Sequence, residues 1–397
     1  MNKKALAAEK AALTQAKDKS PGKGASSAEV FKSIFTVNLG IKKSERAIVF
    51  TDLIHEGEEV SKDERRQRDA LHGIARAVAE EGKKLCTTDY IEFPSVMGHG
   101  KEPPAEVWET AFGPKAVAEL VEKDILDRIL LKEASKKELA EAEEVIKALG
   151  KPPDAVVALS NYSTSHTRFR DFLTRCMRTR YASMPLFDEG MITGAMTADW
   201  KQVARKTIRL AGLMNGADMA YVTSHNGTSI SFSMKGREVK PDTGILTEPG
   251  AFGNLPAGEA YLAPLEGTAE GILILEWAPT GKLVEPVSLY VKGGRVVEVA
   301  GRGELASDLT KRIKENPLIG NIAELGVGTN DKASRPDNIL ETEKILGTVH
   351  MALGDNSSFG GTVSVPFHQD FIFFRPNLEV LKDGRKIELI IDGKPRF

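Results

Sequence analysis

MAYVTSHNGTSISFSM, residues 219–234, is where the texture of this 397-residue chain changes. Apolar and polar residues alternate on either side of Asn226-Gly227. Alternation sends successive side chains to opposite faces of a strand. Asn-Gly is the strongest short hairpin signal, because both residues tolerate positive φ. The stretch therefore predicts an antiparallel hairpin. An amphipathic helix closed by Gly216 is expected just before it, over 199–215.

Upstream, strands and helices alternate. Strands are expected at 47–51, 84–93, 154–159 and 180–184. Helices are expected at 69–81, 105–123, 136–149 and 167–178. That order implies a mostly parallel sheet covered on both faces. Downstream, strands dominate: 272–277, 287–291, 295–299, 371–374 and 387–391, with turns at Lys292-Gly293-Gly294, Asp383-Gly384 and Asp392-Gly393. One helix, 306–314, interrupts them. The expected fold is thus an α/β domain with a mostly parallel sheet, followed by a β-rich α+β domain. A flexible tail is expected over 1–26, the α/β domain over 27–195 and the β-rich domain over 196–397. No internal repeat is visible.

Apolar residues make up 41% and charged residues 28%, as in ordinary globular proteins. A net charge of −2 gives no reason to expect nucleic acid or an anionic membrane as a partner. No apolar run reaches the ~18 residues that span a bilayer, and no secretory leader is legible. Cys86 and Cys176 form no CxxC pair, which argues against a disulfide scaffold or cysteine-bound zinc and fits a reducing cytoplasm. No phosphate loop and no Ser nucleophile elbow occurs.

The chemistry concentrates late in the chain. His368-Gln369-Asp370 sets an imidazole and a carboxylate two residues apart, on one side of a strand. Taken alone, such a pair is more often a satisfied histidine and a turn acid. His350, however, is the lone histidine of the apolar segment GTVHMALG (347–354), and Glu324 is the lone acid of NIAELGVG (321–328). A carboxylate in apolar surroundings needs a partner or a metal. Glu259 follows a proline-framed loop in NLPAGEAYLAP (254–264), where a solvated loop acid is the plainer reading. Imidazole and carboxylate together suit Zn, Co, Mn or Fe(II).

These segments, with ETEKILGTVHMALGDNSSFGG (341–361) and VPFHQD (365–370), resemble the aminopeptidase T family of metallopeptidases. The resemblance covers about 180–370. It implies two divalent ions (Zn, Co or Mn) held by Glu259, Glu324, His350, His368 and Asp370 in the C-terminal domain, with Glu324 bridging them as the catalytic carboxylate. It further implies a cytoplasmic homodimer that releases N-terminal amino acids from peptide substrates by a metal-activated water. One position departs from the family: the tyrosine seven residues after the first histidine is Ser357 here.

Two alternatives stand beside the peptidase. His350, His368 and Asp370 alone make the ligand set of a mononuclear non-haem Fe(II) oxygenase, and a ring-cleaving 2,5-dihydroxypyridine dioxygenase resembles the same family. A metal-binding homologue without peptidase activity is the other.

Overall fold

A computed structural model of the chain describes residues 20–22, 24–278 and 281–397. The tail expected over 1–26 lies mostly outside them. The strands of the first half are β1 (Arg46–Leu53), β2 (Thr87–Pro94), β3 (Ala155–Ala158) and β4 (Arg180–Ser183). The middle contributes β5 (Met219–Thr223), β6 (Ser229–Ser233), β7 (Lys240–Asp242), β8 (Phe252–Asn254), β9 (Glu259–Leu262), β10 (Glu270–Ala278), β11 (Gly281–Lys292) and β12 (Arg295–Ala300). The last are β13 (Ile322–Gly328), β14 (Val349–Gly354), β15 (His368–Phe373), β16 (Asn377–Lys382), β17 (Arg385–Ile391) and β18 (Lys394–Pro395).

Two compact units form. One contains 20–200 and Gly244–Pro256. Its sheet runs β2-β1-β3-β4-β8, and every pairing is parallel. The strand interiors are apolar on both faces, as a helix-covered parallel sheet requires. Phe50, Trp108, Phe112, Phe169 and Phe172 fill one of its cores. The helix expected over 105–123 is two, Ala105–Phe112 and Pro114–Glu122. Gly113 takes φ +88° between them, and Pro114 begins the second at a position that needs no N–H donor.

The other unit contains Lys201–Thr243 and Ala257–Phe397. An eight-stranded sheet, β12-β11-β10-β6-β5-β16-β17-β18, and a five-stranded sheet, β15-β14-β13-β9-β7, are both antiparallel. Val222 and Phe232 of the larger sheet share one core with Leu262, Leu325, Met351 and Phe371 of the smaller. The 219–234 hairpin forms, but its loop spans five residues, with Ser224 N–H donating to Thr228 O at 3.0 Å. Asn226 is the reason: its Nδ2 donates to Ile274 O on β10 at 2.9 Å, and its Oδ1 accepts from Thr228 N–H. No helix among the described residues is long and apolar enough to cross a membrane.

Candidate metal centre

The five-stranded sheet explains how five distant residues meet. Along β9, β13, β14 and β15, residues alternate between the shared core and the other face. Leu262, Leu325, Val327, Val349, Met351, Leu353, Phe371 and Phe373 go to the core. Glu259, Glu324, His350, His368 and Asp370 occupy the intervening positions, and so project from the opposite face.

Across the strands, each of them has on one flank a residue with little or no side chain. Glu259 is opposite Gly328 and His350 is opposite Gly326. Glu324 and Asp370 are both opposite Ala352, and His368 is opposite Gly354. These small residues leave the room into which the ligating groups lean. Gly326 is the tightest case: a Cβ there would lie 1.9 Å from His350 Nε2.

Two groups of ligand-type atoms result, each within 4.8 Å: Glu259–Glu324–His350 and Glu324–His368–Asp370. Glu324 belongs to both. His350 Nε2 lies 3.2 Å from Glu259 Oε2 and 3.5 Å from Glu324 Oε1. His368 Nε2 lies 3.4 Å from Glu324 Oε2 and 3.7 Å from Asp370 Oδ2. The two histidines therefore flank Glu324 rather than sharing one group with Asp370.

The electrostatics are those of carboxylates awaiting cations. Burial opposes ionisation of Glu324, yet the flanking imidazoles hold its pKa down at about 2. Burial likewise opposes a charged His350, but Glu324, Glu259 and Asp370 push it up to about 9. Asp370 and Glu324 push His368, also against burial, up to about 10. Asp355 O can only accept, so His368 Nδ1 donates to it at 2.7 Å. That bond presents Nε2 to Glu324 and Asp370, as the outer partner of a metal-bound histidine does. Glu259 Oε2, His350 Nδ1 and Asp370 Oδ1 are buried with no hydrogen-bond partner. An orphaned carboxylate oxygen such as Asp370 Oδ1, beside an imidazole, is what a divalent ion would satisfy, so the residues fit one.

Several neighbours were invisible as site residues in the sequence. Lys344 is fully buried, with Nζ 2.5 Å from Glu259 Oε1 and 3.1 Å from Glu343 Oε2. Glu343 is pushed up to about 8 by burial, with Asp370 and Glu259 adding to the rise against Lys344. Phe359 stacks edge-on against both Tyr261 and His368, centroids 5.7 and 5.9 Å away. Ser357 turns away into a local bond with the Asp355 carboxylate. Nothing in the spacing of an ETEK segment marks a buried cation. The partner that makes it one is 85 residues away. In the other unit, Arg180 is spent on Glu45 and the carbonyls of Leu39 and Gly40.

Fold and site together define a protein with a parallel α/β unit and a β-rich unit that presents carboxylates and imidazoles on one sheet face. Residues 131–393 match the family described as NicX, 2,5-dihydroxypyridine 5,6-dioxygenase, and the chain belongs to that family. A 2,5-dihydroxypyridine 5,6-dioxygenase of Pseudomonas putida is 22% identical over 207 residues, 47% of this chain and 57% of that one. The aligned stretch thus spans little more than half of that relative. The structure of the 2,5-dihydroxypyridine dioxygenase from P. putida KT2440 superposes with a TM-score of 0.65 at 18% identity, covering 94% of this chain and 98% of the other. Wild-type AmpT from Thermus thermophilus superposes at 0.57 with 16% identity, covering 94% and 99%.

These findings correct the aminopeptidase reading. The likeness to aminopeptidase T survives as a likeness of fold, while the family match and the curated relative are dioxygenases. The hydrolase and protease assignments fall with it. The physical reason lies in the ligands: carboxylate and imidazole suit both a hydrolytic and a redox metal, so the residues that carried the resemblance do not separate the two chemistries.

Proposed function

We propose that this chain is a metal-dependent dioxygenase that opens a dihydroxylated, pyridine-like aromatic ring with a single Fe(II). The observation that carries this reading is the family match over 131–393, taken with a face-up carboxylate and imidazole set on the same residues' sheet. Glu324, His368 and Asp370 would hold the ion. A redox-active ion there supplies the electron transfer that brings dioxygen into reaction with the ring.

The protein's own groups do the rest. Asp355 O holds the His368 ring in place through Nδ1. Tyr261 and Phe359, edge to face beside His368, offer an aromatic wall for a flat substrate. The Glu343 carboxyl, with its pKa raised to about 8, can exchange a proton with a ring hydroxyl near neutral pH.

The test is oxygen uptake and loss of ring absorbance, with protein reconstituted anaerobically with Fe(II) and then given 2,5-dihydroxypyridine or related dihydroxylated rings. Leu- and Phe-p-nitroanilide with Zn, Co or Mn form the comparison. Uptake of one dioxygen per ring opened is expected, without aminoacyl hydrolysis. Hydrolysis with no oxygen uptake on any ring would sink the proposal.

A further inference from the structure

We propose that Lys344 takes the place of a second metal: its ammonium neutralises Glu259, so the five-residue set takes up one divalent ion, at Glu324–His368–Asp370, and not two. This rests on the reading above that the set holds a metal, and on nothing about the substrate.

The geometry divides the ligands unequally. Glu324 serves both groups, so Glu259 is the carboxylate that belongs to the Glu259–Glu324–His350 group alone. One oxygen of that carboxylate is already taken. Lys344 Nζ sits 2.5 Å from Glu259 Oε1, and the lysine side chain has no exposed surface. A lysine in the interior is almost always paired, and pulling either charge out of a buried pair is costly. The other oxygen, Oε2, is 3.2 Å from His350 Nε2. A protein cation and an imidazole nitrogen thus already face both Glu259 oxygens.

The main chain that carries Lys344 is also tied down on both sides. Its own N–H donates to Glu341 O at 3.0 Å, its carbonyl accepts from Asn330 N–H at 2.9 Å, and Leu346 N–H donates to Asn330 O at 3.1 Å. A dication entering beside Glu259 would meet a fixed ammonium at short range in a low-dielectric interior. Lys240 feels the charge of Glu324, but no lysine or arginine among the described residues forms an ion pair with Glu324 or Asp370, so no ammonium sits on the second group as Lys344 sits on Glu259. One tightly held ion is what a mononuclear oxygenase uses, and two ions ~3.5–4 Å apart are what a two-metal hydrolase uses. Lys344 would therefore be the residue that sets which kind of centre this sheet carries.

The test counts metal. Metal-free protein is titrated with Co(II), and anaerobically with Fe(II), by calorimetry, with elemental analysis after desalting. Wild type is expected to bind one equivalent per chain, K344R one, and K344M, which keeps the length without the charge, two. Two equivalents in wild type, or one in K344M, overturn the proposal. If K344M does not fold, as judged by circular dichroism, K344Q decides: two equivalents are expected, and one overturns the proposal. No bound metal in wild type would instead sink the metal reading itself, whatever substrate is found.

Discussion

Glu324 is the residue on which the site turns, because both histidines lean on it from opposite sides. Their pKa values, about 9 for His350 and about 10 for His368, lie above the ordinary 6.5. A histidine raised on folding contributes stability that is full below 6.5 and is lost as pH climbs through the raised value. Glu324, lowered from 4.5 to about 2, contributes stability present above 4.5 and lost as pH falls toward 2. Metal-free protein should therefore show a melting temperature that declines from pH 7 to 10, read by differential scanning fluorimetry. Metal requires neutral imidazole, so uptake should release protons and tighten as pH rises from 6 to 9. A metal-free melting temperature that stays level to pH 10 would show that the histidines carry no such charge. Gly326 gives a second residue-scale prediction. Gly326→Ala sets a Cβ where His350 Nε2 lies, so the ring must shift. The His350 pKa, followed by NMR titration of metal-free protein, should fall as the ring moves off Glu259 and Glu324, while the circular dichroism of the fold is kept.

At the scale of elements, the strands that matter most were the hardest to read. β13 and β14 are buried along their whole length. Each strand has one ionisable member whose neighbours on the same face are Gly or Ala, so the apolar–polar alternation that marked 219–234 is hidden, and 321–328 and 347–354 read only as apolar segments holding one lone ionisable group each. In the structure those two groups, Glu324 and His350, lie beside each other. The open faces and flanking turns of β10, β12 and β17 made those strands legible. The split at Gly113-Pro114 and the five-residue loop at Asn226 depend on backbone geometry and on a contact with β10, which local spacing does not encode. Leu325 tests the role of β13 as a platform: it is fully buried between Glu324 and Gly326. Leu325→Ala should cost about 2–5 kcal/mol in urea unfolding. It should weaken metal binding as well, because the strand bearing Glu324 loses its hold on the core. A loss of stability with unchanged metal affinity would separate the core from the site.

For the molecule as a whole, metal and fold should be thermodynamically linked. An ion that binds only the folded chain adds about 2.7 kcal/mol at one hundred times its dissociation constant. Chelation is therefore expected to lower the melting temperature by several degrees, and Fe(II) or Co(II) to restore it. Equal melting temperatures with and without metal would argue against the centre. The correction from peptidase to dioxygenase belongs to this scale too. The chain superposes both on the P. putida dioxygenase and on T. thermophilus AmpT, so the fold does not separate the two readings.

By itself the sequence marked the two textures of the chain, most of its regular elements, and Glu324 and His350 as lone ionisable groups in apolar segments; Glu259, His368 and Asp370 joined them only through the family resemblance. The first three were legible because the period of an element and the cost of a lone charge among apolar residues are local properties. The tertiary structure decided how those five divide, with Glu324 shared between two groups, and it placed Lys344, Glu343 and Phe359 among them. Those placements come from strand register and from contacts across scores of residues, such as Lys344 on Glu259, and local spacing carries no record of which distant strand will lie alongside.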